Sequence, residues 1–429
     1  MSEHQRRFLL SMWEGGGTIP PQLGIARHLL ERGHQVHVLG DPTIEQRAAA
    51  LGCTFSAWRR APHRTSLDPA QDLFRDWEVS NPLTVLRNFR DGFMAGPAGD
   101  FAADTLDTVA AVEPDALLAD GMMLGAMVAG QAARLPVAAL IPNIWMIPTP
   151  GVPAVGPGFA PAKTALGRTR DRVMRVVANR LVDGGLPALN AARTTHGLAP
   201  LTSLWQQVLE VDRILVLTSA AFDFAAPAVP DNVRYVGPVL DDPQWAEPWD
   251  PPWPEDGRPL VLVGFSSNFQ DQGPQLRRVV EALSILPVRA VVTLGQMLDP
   301  AEVSPTDNVA VLTSAPHGQI LPQASLVVTH CGHGTTLKAL AAGIPMVCMP
   351  MGRDQHDTAA RVVHHGAGVR LRPTASVARI RSAVEAVLGD GRFEANAARL
   401  ASAIADEHRT VNIASEIEAL TGATPADTG

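Results

Sequence analysis

Between Leu326 and Met349 two short apolar runs enclose a single helix-length stretch, and few folds accept that arrangement. The runs Leu326–Thr329 and Pro345–Met349 are β-branched or sulfur-rich and bounded by turn residues, which predicts buried strands of a parallel sheet. The stretch between them is predicted as a helix. Thr335 and Thr336 offer caps, Leu337, Leu340 and Ala341 supply an apolar stripe, and Gly343 with Pro345 ends it. Gly332-His333-Gly334-Thr335 then sits at the carboxyl end of a strand and the amino end of a helix. Free N–H groups and the helix dipole favour an anion there, glycine lets backbone approach closely, and Thr335 and His330 add donors. A polar loop, Gly352 to His356, follows the second strand on the same sheet edge. Its Asp354-Gln355 pair suits a polyhydroxylated ring.

Other readings of these residues are weaker. His317, His330, His333, His356, His364 and His365, with Cys331, do not have the spacing of paired zinc ligands, so no metal is expected. The Gly15-Gly16-Gly17-Thr18 turn after the strand Arg7–Met12 does not complete a dinucleotide fingerprint, and Pro20-Pro21 follows it. No cofactor is expected.

The remaining bounds come from composition. A chain of 429 residues, 46% hydrophobic, has material for two cores. A net charge of −8, 5% aromatic content and the lack of any basic run argue against a nucleic-acid partner. Three scattered cysteines, Cys53, Cys331 and Cys348, suit a reducing cytoplasm, and no segment reads as a membrane span. Oligomeric state, monomer or homodimer, is left open.

In chain order, a βαβ unit runs from Arg7 to Leu39, a buried strand ends at Asp120, a further strand spans Val137–Ile141, and Arg213–Thr218 reads as the last strand of a first half. Residues 58–105 and the Pro- and Gly-rich stretch Pro142–Pro161 are candidate walls of an apolar binding cleft. Trp13, Trp77, Phe89, Trp145 and Met146, with Trp58, Phe74 and Phe93, are the aromatic and apolar candidates. The density of proline around residues 221–258 predicts a linker to a second half that starts near Leu260.

The stretch HCGHGTTLKALAAGIPMVCMPMGRDQ resembles the nucleotide-sugar signature of the UDP-glycosyltransferase superfamily (glycosyltransferase family 1), in its bacterial macrolide and natural-product branch. The resemblance covers nearly the whole chain. It implies the α/β GT-B fold, two Rossmann-like β/α/β domains facing across a cleft. The acceptor domain would be 1–220, the linker 221–258, the nucleotide-sugar domain 259–405, and 406–429 a C-terminal helix crossing back to the first domain, with a mobile tail. It also implies an inverting, metal-independent transfer from a nucleoside-diphosphate sugar to a small, largely apolar acceptor. On these positions Ala315, Pro316 and His317 would pack on the nucleobase. His330, Gly332, His333, Gly334 and Thr335 would hold the diphosphate, joined by Ser266 and Ser267, and Asp354 and Gln355 the sugar.

The chain departs from the family twice. The family's acceptor loop reads Gly-His-x-x-Pro with the histidine as general base, and aligned on Gly17 and Pro21 that position is Thr18. A threonine hydroxyl is no base near neutral pH. The family's orienting aspartate resembles Asp120. The proton is therefore expected to go to Asp120 with Thr18 positioning, with Glu14, or an acceptor needing little help, as the other readings. Where many members carry a ribose-binding glutamate stands Lys338, which weakens uridine and raises deoxythymidine. A non-catalytic nucleotide-sugar-binding partner protein and a GT-B epimerase or phosphorylase are the alternatives.

Overall fold

The computed structural model describes residues 5–79, 81–240, 249–265, 268–295 and 298–422. Two parallel sheets organise the chain. The first contains β1 (Arg7–Ser11), β2 (Gln35–Gly40), β3 (Thr54–Ala57), β4 (Ala116–Asp120), β5 (Val137–Ile141), β6 (Arg213–Val216) and β7 (Val233–Tyr235), ordered β3-β2-β1-β4-β5-β6-β7. The second contains β8 (Leu260–Gly264), β9 (Arg289–Thr293), β10 (Val309–Leu312), β11 (Ala324–Thr329), β12 (Met346–Cys348) and β13 (Gly368–Arg370), ordered β10-β9-β8-β11-β12-β13. Every strand pairing within both is parallel. The central strands β4, β5 and β8 are buried at every position, as runs covered by helices on both faces must be.

Two strands were not foreseen, Thr54–Ala57 and Val233–Tyr235. Val233–Tyr235 lies inside the stretch expected to be linker and pairs with β6. Its apolar pattern is too short to signal a strand, and Pro230 and Pro238 on either side conceal it.

Among the helices of the two lobes are α1 (Ile19–Glu31), α2 (Pro82–Phe89), α3 (Ala165–Asp183), α4 (His333–Ala341), α5 (Gln355–His364) and α6 (Ile413–Gly422). Helix α1 opens on Pro20-Pro21, where the missing N–H groups would have had no helical partner. Helix α6 returns to the first lobe. Its Ile413, Ala414, Ile417 and Leu420 join Phe8, Leu10, Ile25 and Leu29 in one core, and Glu418 pairs with Arg32 and His34, each at 2.7 Å. No helix among the described residues is long and apolar enough to cross a membrane.

Candidate active site

Sheet order reverses between β1 and β4 in the first lobe and between β8 and β11 in the second, so the loops after those strands open crevices at the carboxyl ends. One cleft takes both. It is lined from the first lobe by Glu14, Gly15, Gly16, Gly17, Thr18 and Asn143, and from the second by residues at the carboxyl ends of its strands and on the helices that follow them.

On the second lobe, His330, Gly332, His333, Gly334 and Thr335 line the cleft at the start of α4, whose first backbone N–H groups have no partner within the helix. The His330 ring stacks on Phe265 at 5.9 Å and lies over Gly332, where a Cβ would come within 2.5 Å of its Nε2. Burial pushes this imidazole down to about 4, so near neutral pH it is an uncharged ring with one N–H to donate. Enclosure likewise pushes His333 down to about 4. Its Nε2 lies 2.9 Å from Thr218 Oγ1 of the first lobe, so this side chain ties the lobes together as well as lining the cleft. Ala315 and His317 line the cleft beside Thr293, whose Oγ1 is 3.1 Å from His317 Nε2, and Pro316 between them caps a short helix, His317–Ile320. Ser266 and Ser267 lie outside the described residues.

Asp354 and Gln355 line the cleft at the start of α5. Burial raises the Asp354 carboxyl above its ordinary value, and a hydrogen bond from Asn143 across the cleft opposes that. Gln355 Oε1 accepts from the N–H groups of Met351 at 2.8 Å and Gly352 at 3.1 Å, and Nε2 donates to Gln270 Oε1 at 2.9 Å.

Asp120, the base expected from the sequence, ends β4 and is 1% exposed. Its Oδ2 accepts from Gln22 Nε2 at 2.7 Å and its Oδ1 from the Met122 N–H at 3.0 Å. Gln22 is itself fully buried on α1. Burial raises Asp120 to about 6, with Met122, Gln22 and Trp13 acting to lower it. Glu14, itself only 4% exposed, lines the cleft. Its carboxylate accepts from Thr43 Oγ1 at 3.0 Å and pairs with Arg47. Among the described residues Thr18 Oγ1 and Gln22 Oε1 have no hydrogen-bond partner.

The acceptor candidates separate. Trp13 and Phe89 belong to one aromatic cluster with Phe74 and the fully buried Phe93, with Trp13 4.5 Å from Phe93 and 6.0 Å from Phe89. Trp58 donates to Met12 O and Trp145 to Thr149 Oγ1, both at the bottom of the first-lobe core, so neither is a cleft wall. The apolar ring and an internally satisfied N–H make burial the favourable place for each. Met146 packs between the cores of the two lobes. The loop from Pro142 to Pro161 is correspondingly a bridge: Gly156 and Gly158 donate to Asp357 of α5 at 2.6 and 3.0 Å. Trp77 packs edge-on against Phe269 of the second lobe at 5.2 Å. Beside it Asp76 takes both Nε and Nη2 of Arg353, at 2.8 and 2.9 Å. Burial works to raise the Asp76 carboxyl, but Arg353 outweighs it and holds it below the ordinary range.

Gln22, Asp76 and Arg353 were missed from the sequence. Only Gln22 carried a signal, since it lies one helical turn after Thr18 on the same face of α1.

Comparison with known proteins agrees with this architecture. Residues 277–420 match the model of the erythromycin biosynthesis protein CIII-like C-terminal domain. The chain is 30% identical over 425 residues to 4'-demethylrebeccamycin synthase of Lentzea aerocolonigenes, covering 96% of this chain and 99% of that protein. It is 26% identical over 392 residues to demethyllactenocin mycarosyltransferase of Streptomyces fradiae, covering 88% of this chain and 78% of that one. Among solved structures, the glycotransferase of kitacinnamycin superposes with a TM-score of 0.74 at 22% identity, covering 97% of this chain and 99% of its own, and shows the fold to be GT-B.

Proposed function

Because the chain belongs to the UDP-glycosyltransferase superfamily, in its bacterial macrolide and natural-product branch, and is a glycosyltransferase, we propose that it moves a sugar, with inversion, from a dTDP- or UDP-activated donor to a small, largely apolar acceptor. The observation that carries this reading is the single cleft that sets the α4 amino terminus, His330 and Thr335 opposite the loop from Glu14 to Thr18.

The donor's diphosphate is assigned to that helix terminus, with its sugar toward Asp354 and Gln355. Negative charge gathering on the leaving diphosphate is then met by backbone N–H groups, the neutral His330 donor and the Thr335 hydroxyl, so the reading calls for no metal. The acceptor attacks the anomeric carbon from the opposite face, which inverts its configuration. Its proton is assigned to Glu14, the acid of the first lobe that lines the cleft, with Thr18 on the same loop. Asp120 acts one layer back, holding Gln22. Lys338 lines the cleft on α4 and offers no acceptor for ribose hydroxyls, which supports dTDP over UDP.

The test is calorimetric titration of the protein with dTDP and with UDP at equal ionic strength, repeated on His330→Ala. Micromolar binding with dTDP preferred, lost in the variant, is expected. Binding of neither nucleotide would end the reading.

A further inference from the structure

Among the described residues eight large apolar side chains are exposed, and four of them, Leu166, Val173, Val176 and Val177, stand on the one helix α3. A fifth, Leu83, is on α2, which packs beside it. Single exposed apolar residues are ordinary on a protein surface, but a row along one helix is not. Leu166, Val173 and Val177 follow one another at seven- and four-residue steps and so share a face, with Val176 at its border. Leu166 is 81% exposed and Val173 54%.

The same outer surface is cationic. Lys163, Arg172 and Arg180 are exposed, whereas Asp171 is turned inward, 7% exposed and paired with Arg170 at 2.7 Å. Asp183, at the end of the helix, is taken up by Ser203 Oγ and the Leu204 N–H. On a chain of net charge −8 this is a local reversal of sign.

We propose that the outer face of α3, with Leu83, docks the first lobe onto an anionic lipid surface. The helix would lie in the interface, its aliphatic row sunk below the headgroups and its arginine heads at the lipid phosphates with their stems along the apolar row. Charge complementarity selects this occupant. A second copy paired through the same helix about a twofold axis would set arginines against arginines. A specific protein partner would meet a row without the aromatic anchors that concentrate binding energy in such interfaces. The inference uses neither the donor nor the acceptor assignment.

The test is co-sedimentation of the full chain with mixed phosphatidylcholine and phosphatidylglycerol vesicles, against phosphatidylcholine alone, in low and high salt. Two variants accompany it, Val173→Asp/Val177→Asp and Arg172→Glu/Arg180→Glu, each first shown to keep the wild-type circular dichroism and thermal midpoint. The expected result is pelleting with the anionic vesicles that drops about tenfold or more without phosphatidylglycerol, in high salt and in both variants. Failure of the wild-type protein to pellet, or equal pelleting of the variants, would overturn the proposal. So would a wild-type dimer on a sizing column that Val173→Asp/Val177→Asp makes monomeric, since that assigns the face to a second copy.

Discussion

Gln22 Nε2 donates to Asp120 Oδ2 at 2.7 Å, with both side chains out of solvent. An amide thus stands on an acid that the family keeps for a histidine. Burial raises Asp120 to about 6 despite the hydrogen bonds that favour its charge. A carboxyl raised above its unfolded value of about 3.9 contributes most stability when protonated, and loses that contribution as pH rises through the folded value. Asp120→Asn keeps an acceptor for Gln22 and removes the ionisation. Its unfolding free energy relative to wild type is expected to improve by roughly 2 kcal/mol between pH 4 and pH 7, taken at 1.36 kcal/mol per unit. Urea unfolding at several pH values checks this, and a constant difference would mean that Asp120 is not buried as a charge.

Gly332 has an ordinary backbone conformation, φ −58°, so the reason it is glycine is the His330 ring above it. Gly332→Ala must push that ring aside. We expect it to cost dTDP affinity about as much as His330→Ala, roughly tenfold or more for a lost buried hydrogen bond, with little change in thermal midpoint. Gly334, where an added Cβ meets nothing within 4 Å, is the control. Gly334→Ala leaves the free protein unaltered and weakens dTDP only if phosphate comes against that backbone.

Arg361 of α5 and Asp223 of the first lobe are 2% and 1% exposed at the side chain and meet at 2.6 Å, with the guanidinium 4.1 Å from the Phe224 ring. Arg361→Met leaves Asp223 with donors only from Tyr235 and backbone, and should destabilise by about 3–5 kcal/mol. Arg361→Met/Asp223→Asn should recover a large part of that loss, because no stranded charge remains. The double-mutant cycle in urea distinguishes a coupled pair from two independent contacts.

The glycine turn at the start of α4 was legible because a strand, that turn and a helix follow one another in the chain, so neighbours in sequence are neighbours in space. The same locality gave the two sheets. What crosses between lobes was not legible. Asp76 and Arg353 are 277 positions apart, and their pairing depends on how two separately folded sheets face each other. Trp145 shows the opposite failure: a tryptophan in a proline-rich loop looks like a binding wall, yet the loop is held by Asp357 and the ring turns into the core. Gln22 shows in the sequence only as a polar residue one turn after Thr18. Its meaning comes from Asp120, on a strand that reaches α1 only through the β1–β4 crossover.

Lys338 lines the cleft from α4, one turn after Gly334. An ammonium donates hydrogen bonds and accepts none, so it can meet ring or phosphate oxygens but cannot take the protons of two ribose hydroxyls. A carboxylate at the same place could take both. Lys338→Glu is therefore expected to improve UDP relative to dTDP by about tenfold, some 1.4 kcal/mol, well within what two charge-assisted hydrogen bonds supply. Calorimetry with both nucleotides on both proteins gives the ratio directly, and it is insensitive to a general weakening caused by the new negative charge near a diphosphate. An unchanged ratio would place Lys338 away from the ribose and withdraw the argument for deoxythymidine.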